Sequence, residues 1–178
     1  MRDLPEEVAE RARRLRLMVF DVDGVLTDGT LWYGRDGEAL KGFHAFDGHG
    51  IKMLAASGVA CALLSGRSSA AVSVRAAELG IAHALQGIDD KHAAFEELLK
   101  KMNLNLQQAG FMGDELVDLP VLTRCGFACA PREAPPEVRS RVHYVARAAA
   151  GRGAVREVCE LVMRAQDSFE RALRQYLA

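Results

Sequence analysis

The run Leu17-Met-Val-Phe20 constrains the fold of this chain more than any other feature. Four apolar residues in succession leave no polar face for solvent, as on a strand buried on both sides, and such strands belong to parallel sheets covered by helices. The run ends on charge. Asp21-Val-Asp23-Gly24 follows at once, and in extended backbone side chains two residues apart point the same way. Asp21 and Asp23 are therefore expected to present together, with Gly24 turning the chain away. Two carboxylates so close repel, and burying them unpaired is costly. A hard cation such as Mg²⁺ removes the conflict, because it takes oxygen ligands and bridges carboxylate to phosphate. A carboxylate can also attack phosphorus and carry it as an aspartyl-phosphate. The plainer alternative, an Asp-Gly turn behind a core strand, stands for this segment taken alone.

Three further places fit the same chemistry. Residues 58–67 form a second apolar run that ends in Ser65-Gly66-Arg67. A hydroxyl and backbone N–H groups at a strand-to-helix junction can hold phosphate, since a helix N-terminus is electropositive. Lys91, in Asp89-Asp-Lys-His92, opens a helical stretch as a candidate cation for phosphate and nucleophile. Ala109–Met112 is a short apolar strand followed by Gly113, Asp114, Glu115 and Asp118. Ser-Gly is common in loops and a surface Lys is ordinary, so the weight rests on all four appearing in this order.

The pattern along the chain predicts helix 5–15, strand 17–21, a hairpin across 30–45, helix 48–57, strand 59–64, helix 68–79 and strand 82–85. Helix 91–102, strand 109–113, helix 117–124, strands 126–129 and 143–145, and helices 154–165 and 167–177 follow. This alternation argues an α/β fold of three layers, a Rossmann-like parallel sheet between helices. Ligands in such sheets bind beyond the carboxyl ends of the strands, where Asp21, Ser65 and Asp114 all fall. The whole of 1–178 is expected to be one domain, with a β-hairpin insertion at about 29–46 and no insert long enough for a cap. The hairpin departs from simple alternation. Leu31, Trp32, Tyr33, Leu40 and Phe43 are too apolar for a freely solvated ribbon, so it either folds back on its own domain or packs against another subunit.

Composition narrows the function. With 23 basic and 24 acidic residues the net charge is −1, which implies no nucleic-acid partner. Apolar runs all fall short of the roughly 20 residues of a membrane span. Asp3, Glu6 and Glu7 ahead of Arg11-Ala-Arg-Arg14 read as a helix start and not a signal peptide. Cys61, Cys125, Cys129 and Cys159 lie in or beside apolar stretches without zinc-site spacing, as core thiols in a reducing compartment. A cytoplasmic protein is expected. His44, His49, His83, His92 and His143 show no metal-ligand spacing and receive no catalytic role.

Taken together, Asp21-x-Asp23-Gly-Val-x-Thr27, Ser65, Lys91 and Gly113-Asp114-x-x-x-Asp118 resemble the haloacid dehalogenase superfamily of phosphatases. Asp28-Gly29, Gly37-Glu38, Phe43-His44, Asp47-Gly48-x-Gly50-Ile51, Gln86-Gly87 and Gly151-Arg-Gly-Ala-Val-Arg-Glu157 extend the resemblance, over most of the chain, to its small capless branch. That branch hydrolyses 3-deoxy-D-manno-octulosonate 8-phosphate, a step toward lipopolysaccharide precursors. The resemblance implies Asp21 as nucleophile and Asp23 as acid to the leaving oxygen, then base for water. It implies Mg²⁺ on Asp21, the Asp23 carbonyl and Asp114, with Asp118 behind the metal, and a homotetramer assembled through the hairpin.

Glu115 stands where a second Asp commonly follows the first, and whether it shares the role of Asp118 stays open. Phe46 stands where a basic residue is often found, so the cation for the sugar-acid carboxylate has to come from elsewhere. Gly66 with Arg67, Arg75 and Arg156 are the candidates for substrate recognition, since guanidinium matches carboxylate bidentately. The resemblance places Arg156 over a neighbouring subunit's site. Three rivals remain. A dehalogenase needs no acid two residues after the first. A phosphatase of a nine-carbon keto-deoxy sugar phosphate commonly carries an acid where Arg67 stands. A non-catalytic oligomeric scaffold has no reason to keep clustered carboxylates.

Overall fold

The computed structural model describes residues 5–35 and 37–177; Asp3 and Asp36 lie outside them. Six parallel strands form the central sheet: β1 (Leu17–Phe20), β4 (Ala60–Leu64), β5 (His83–Leu85), β6 (Ala109–Met112), β7 (Phe127–Ala130) and β8 (Tyr144–Val145). Their order is β5-β4-β1-β6-β7-β8. β1 lies between β4 and β6, pairing Phe20 with Leu63 on one side and Met112 on the other. The chain leaves β1 toward β4 and β5 and later returns to its other side, so a crevice opens at the carboxyl end of β1.

Burial on both faces explains why β1 is apolar throughout. Met18 and Phe20 pack with α1 (Glu6–Arg13), α2 (Ala45–Ala56), α3 (Ala70–Leu79), α7 (Ala154–Ala165) and α8 (Phe169–Arg174). Leu17 and Val19 turn the other way, toward α4 (Lys91–Met102), α5 (Leu119–Leu122) and α6 (Pro136–Arg139). The three layers follow from this alternation. β2 (Trp32–Gly34) and β3 (Gly37–Leu40) form the antiparallel hairpin.

Tertiary contacts shift several boundaries. α2 begins at Ala45, three residues before the expected Gly48. Asp47 is buried in its first turn and accepts N–H groups from Gly153 (3.1 Å) and Arg156 (2.8 Å) at the start of α7. That bond satisfies orphan donors of one helix with a carboxylate from another. Helix 117–124 splits into a 3₁₀ turn, Leu116–Asp118, and the shorter α5. α6 was unexpected in a proline-rich stretch, where Pro135 and Pro136 begin a single helical turn. α8 ends at Arg174 and is shorter than the predicted 167–177.

Candidate active site

The loop after β1 is built to bring carboxylates together. Asp21 donates its N–H to the Met112 carbonyl (2.9 Å), extending the sheet by one residue. Leu26 and Thr27 then close back on the Val22 carbonyl, and Thr27 Oγ1 accepts from the N–H groups of Gly24 and Gly29 at 3.3 and 3.2 Å. Gly24 has φ +83°, and a Cβ there would lie 2.0 Å from Asp114 Oδ2. Only glycine tolerates both the left-handed backbone and this close approach.

Lys91 ties the acids to one another. It occupies the first turn of α4, after the Asp90 cap, with Nζ 3.0 Å from Asp21 Oδ1 and 2.6 Å from Asp118 Oδ1. Asp118 Oδ2 accepts the N–H groups of Asp114 (3.0 Å) and Glu115 (3.2 Å). Burial alone would lower the Lys91 ammonium, but the charges of Asp21 and Asp118 outweigh it and hold it above its usual value. Asp118 thus has partners at both oxygens.

Asp114 does not. Its Oδ1 is buried without a hydrogen-bond partner, and ligand oxygens of Asp21, Asp114 and Asp118 lie within 4.8 Å of one another. Burial, then Asp21 and Asp118, push Asp114 up to about 8. Burial, then Asp118, push Asp21 to about 6 against the pull of Lys91. Three clustered carboxylates and one ammonium leave negative charge uncompensated. An orphaned hard oxygen beside two more fits a divalent cation of the Mg²⁺ type.

Across the crevice, Ser65 follows β4, and its Oγ accepts the Arg67 N–H (3.2 Å). The junction differs from the expected one. α3 starts only at Ala70, so the Ser65–Arg67 loop, not a helix N-terminus, faces the crevice. Asp21, Asp23, Gly66, Arg67, Lys91, Asp114 and Glu115 line a cavity of about 280 Å³ with Ser65, and Leu31 and Val117 form its apolar rim. Asp21 and Asp23 do share it, as alternation requires. Glu115 is exposed and accepts the Leu116 N–H (2.6 Å), capping the 3₁₀ turn without joining the bond of Asp118 to Lys91.

Of the three candidate arginines, only Arg67 lines this cavity. Arg75 pairs with Glu78 (2.9 Å), lies over the Phe43 ring and fills the space at Gly48, where a Cβ would meet its Nη2 at 2.1 Å. Arg156 pairs with Glu160 (2.6 Å) and lies against Gly50. The 151–157 stretch belongs to this chain's own fold: Gly151 abuts Thr27 and Asp28, and its N–H bonds the Val25 carbonyl. Phe46 is exposed and packs on the edge of His44.

The hairpin supplies residues that sequence reasoning missed. Lys41 Nζ pairs with Asp23 Oδ1 and with Glu38 (3.1 Å). Arg67 donates to the Tyr33 hydroxyl (2.9 Å) and lies 3.4 Å from Glu38. The signal was the pair of opposite charges, Glu38 and Lys41, flanking Ala39-Leu40 on the second arm of the hairpin. Its polar side therefore faces its own site, while Leu31, Trp32, Tyr33 and Leu40 remain 39%, 57%, 62% and 68% exposed.

A family model described as haloacid dehalogenase-like hydrolase matches residues 89–158. The chain is 42% identical to the 3-deoxy-D-manno-octulosonate 8-phosphate phosphatase KdsC of Yersinia pestis, over 94% of this chain and 89% of that one. It is 41% identical to KdsC of Escherichia coli K12, over 95% and 90%. Among solved structures, a probable YrbI family phosphatase from Pseudomonas syringae pv. phaseolica superposes with a TM-score of 0.96 at 45% identity, covering 98% of this chain and 99% of that one. The octulosonate 8-phosphate phosphatase of Moraxella catarrhalis, solved with magnesium, phosphate and KDO, superposes with a TM-score of 0.94 at 38% identity, covering 97% and 99%.

Proposed function

Because this chain belongs to the haloacid dehalogenase-like hydrolases, we propose that it is a phosphatase that hydrolyses 3-deoxy-D-manno-octulosonate 8-phosphate to the free sugar acid and phosphate, serving lipopolysaccharide precursor synthesis in the cytoplasm. One observation carries the chemistry: the unpartnered Asp114 oxygen beside Asp21, with Lys91 bridging Asp21 to Asp118. The substrate follows from the relatives, of which the Moraxella protein binds KDO.

In this reading Asp21 attacks phosphorus while Lys91 holds its carboxylate in place. Asp23 gives a proton to the leaving sugar oxygen, then takes one from the water that opens the aspartyl-phosphate. Ser65 and the Gly66 and Arg67 N–H groups hold the phosphoryl oxygens. Asp21, Asp114 and the Asp23 carbonyl would hold Mg²⁺, which neutralises phosphate charge and orients the group. Asp118 positions Lys91 and the Asp114 backbone.

The Arg67 guanidinium is the cation for the sugar-acid carboxylate in this reading. A charge-assisted contact of this kind contributes roughly 1.5–3 kcal/mol, so Arg67→Glu is expected to lower kcat/KM on the octulosonate ester at least about tenfold. A generic aryl phosphate, with no carboxylate, should lose much less. A panel of sugar phosphates assayed at saturating Mg²⁺ with both proteins makes the test. Wild-type preference for a neutral hexose phosphate rejects the sugar-acid substrate, and equal losses on the two esters reject Arg67 as its partner.

The exposed hairpin side chains also motivate a homotetramer. Contiguous apolar surface of this kind marks an interaction site. Light scattering should give about four times the 19.4 kDa subunit mass. Trp32→Glu with Leu40→Glu should dissociate it, since both side chains are exposed and neither pairs with Arg67. A monomeric wild-type protein removes the assembly.

A further inference from the structure

We propose that Lys41 is a positioning residue for Asp23: by occupying one carboxyl oxygen it leaves the other to the phosphate pocket. The inference rests on the reading of Asp23 as the acid to the leaving group. Lys41 stands out because its side chain is only 1% exposed although it sits at the base of a hairpin whose apolar side chains lie in solvent. Lysine is almost never enclosed unless it is paired. Its partners are Asp23 Oδ1 and Glu38 Oε2, the latter at 3.1 Å. Asp23 Oδ2 lies instead toward Arg67, 3.9 Å from Nε. Arg67 lines the cavity and Lys41 does not, so Lys41 has no direct hold on a substrate there.

The chemistry of the pair is directional. An ammonium only donates hydrogen bonds. A carboxyl whose Oδ1 is taken by Lys41 can carry a proton only on Oδ2, the oxygen on the pocket side. Glu38 holds Lys41 from behind and also reaches Arg67 at 3.4 Å, so one hairpin carboxylate sets the cation behind Asp23 and the cation beside it. The orientation of the acid thereby depends on how the hairpin docks.

The test separates positioning from structural support through the leaving group. An alkyl phosphate departs as an alkoxide that needs a proton, whereas p-nitrophenyl phosphate departs as a stable anion. General acid catalysis is worth about 10²–10⁴-fold, and Lys41→Met should forfeit part of it. The expected kcat/KM loss is about 10–100-fold on the alkyl ester and no more than about threefold on the aryl ester. Lys41→Arg should recover much of the alkyl activity. Asp23→Asn should show the same split, and adding Lys41→Met to it should cost nothing further, as for groups acting as a unit. Lys41→Leu serves if Lys41→Met does not fold, with melting temperature as the control. Equal losses on both esters, or a double variant whose losses multiply, overturn the proposal. A split in Asp23→Asn but not in the Lys41 variants rejects Lys41 alone. No split in Asp23→Asn rejects the acid role on which the proposal stands.

Discussion

Asp21→Asn is expected to lower kcat by at least about 10⁴-fold on every phosphomonoester, the scale on which removal of a covalent nucleophile registers. The substitution is nearly isosteric. Asp21 keeps its backbone bond to Met112, and Lys91 keeps Asp118 at 2.6 Å, so the fold and the second half of the ammonium's environment survive. What disappears is the negative oxygen that attacks phosphorus. Burial and Asp118 push the wild-type group up to about 6, which still leaves it largely ionised at neutral pH and above. Single-turnover assays with p-nitrophenyl phosphate, at saturating Mg²⁺, measure the loss directly. A decrease of less than about tenfold would reject Asp21 as the nucleophile.

Asp21, Ser65 and Asp114, which are proposed to carry this chemistry, were readable because each follows an apolar strand. β1, β4 and β6 are buried on both faces, so their polar terminators stood out against uninterrupted hydrophobic runs. Lys91 was legible only through its place after two aspartates at a helix start. Most of the remaining features depend on contacts across the chain. Nothing local to Asp47 says that it caps α7 more than 100 residues away, and that bond extends α2 backward past the expected boundary. The 3₁₀ turn at Leu116–Asp118 exists because Asp118 folds back onto the Asp114 and Glu115 N–H groups, where helical periodicity predicts a continuous helix. Arg75 and Arg156 have the right chemistry for a carboxylate, and they pair with Glu78 and Glu160 one helical turn on, a local spacing the sequence did offer. The hairpin was half legible. Its apolar residues stood out in the sequence and are exposed in the fold, whereas the Glu38 and Lys41 bridge to Asp23 and Arg67 is a tertiary arrangement with no periodic signature.

Asp114→Asn should separate the cost of the carboxylate cluster from its use. Asp114 is pushed up to about 8 and Asp21 to about 6, against about 4 in an unfolded chain. The folded state therefore binds these protons more tightly than the unfolded state. Without metal, that contribution is fully present below about pH 4 and is lost as the pH rises through about 6 and then about 8. Neutralising position 114 removes the repulsion while keeping the shape. The metal-free variant should be more stable than wild type at pH 8 by about 1–2 kcal/mol, the usual gain from relieving a functional site, or about 2–8 °C in Tm. At pH 5, where wild-type Asp114 is already protonated, the difference should shrink. Mg²⁺ should raise the Tm of the wild-type protein at pH 8 and leave the variant unchanged, since ligand stabilisation follows binding to the native state. Activity should drop about 10²–10³-fold, as several kcal/mol of charge neutralisation is lost. Scanning calorimetry with and without chelator at the two pH values reads all of this. A variant less stable than wild type at pH 8 in chelator would mean that Asp114 supports the fold, and that its bare oxygen is not held open for a cation.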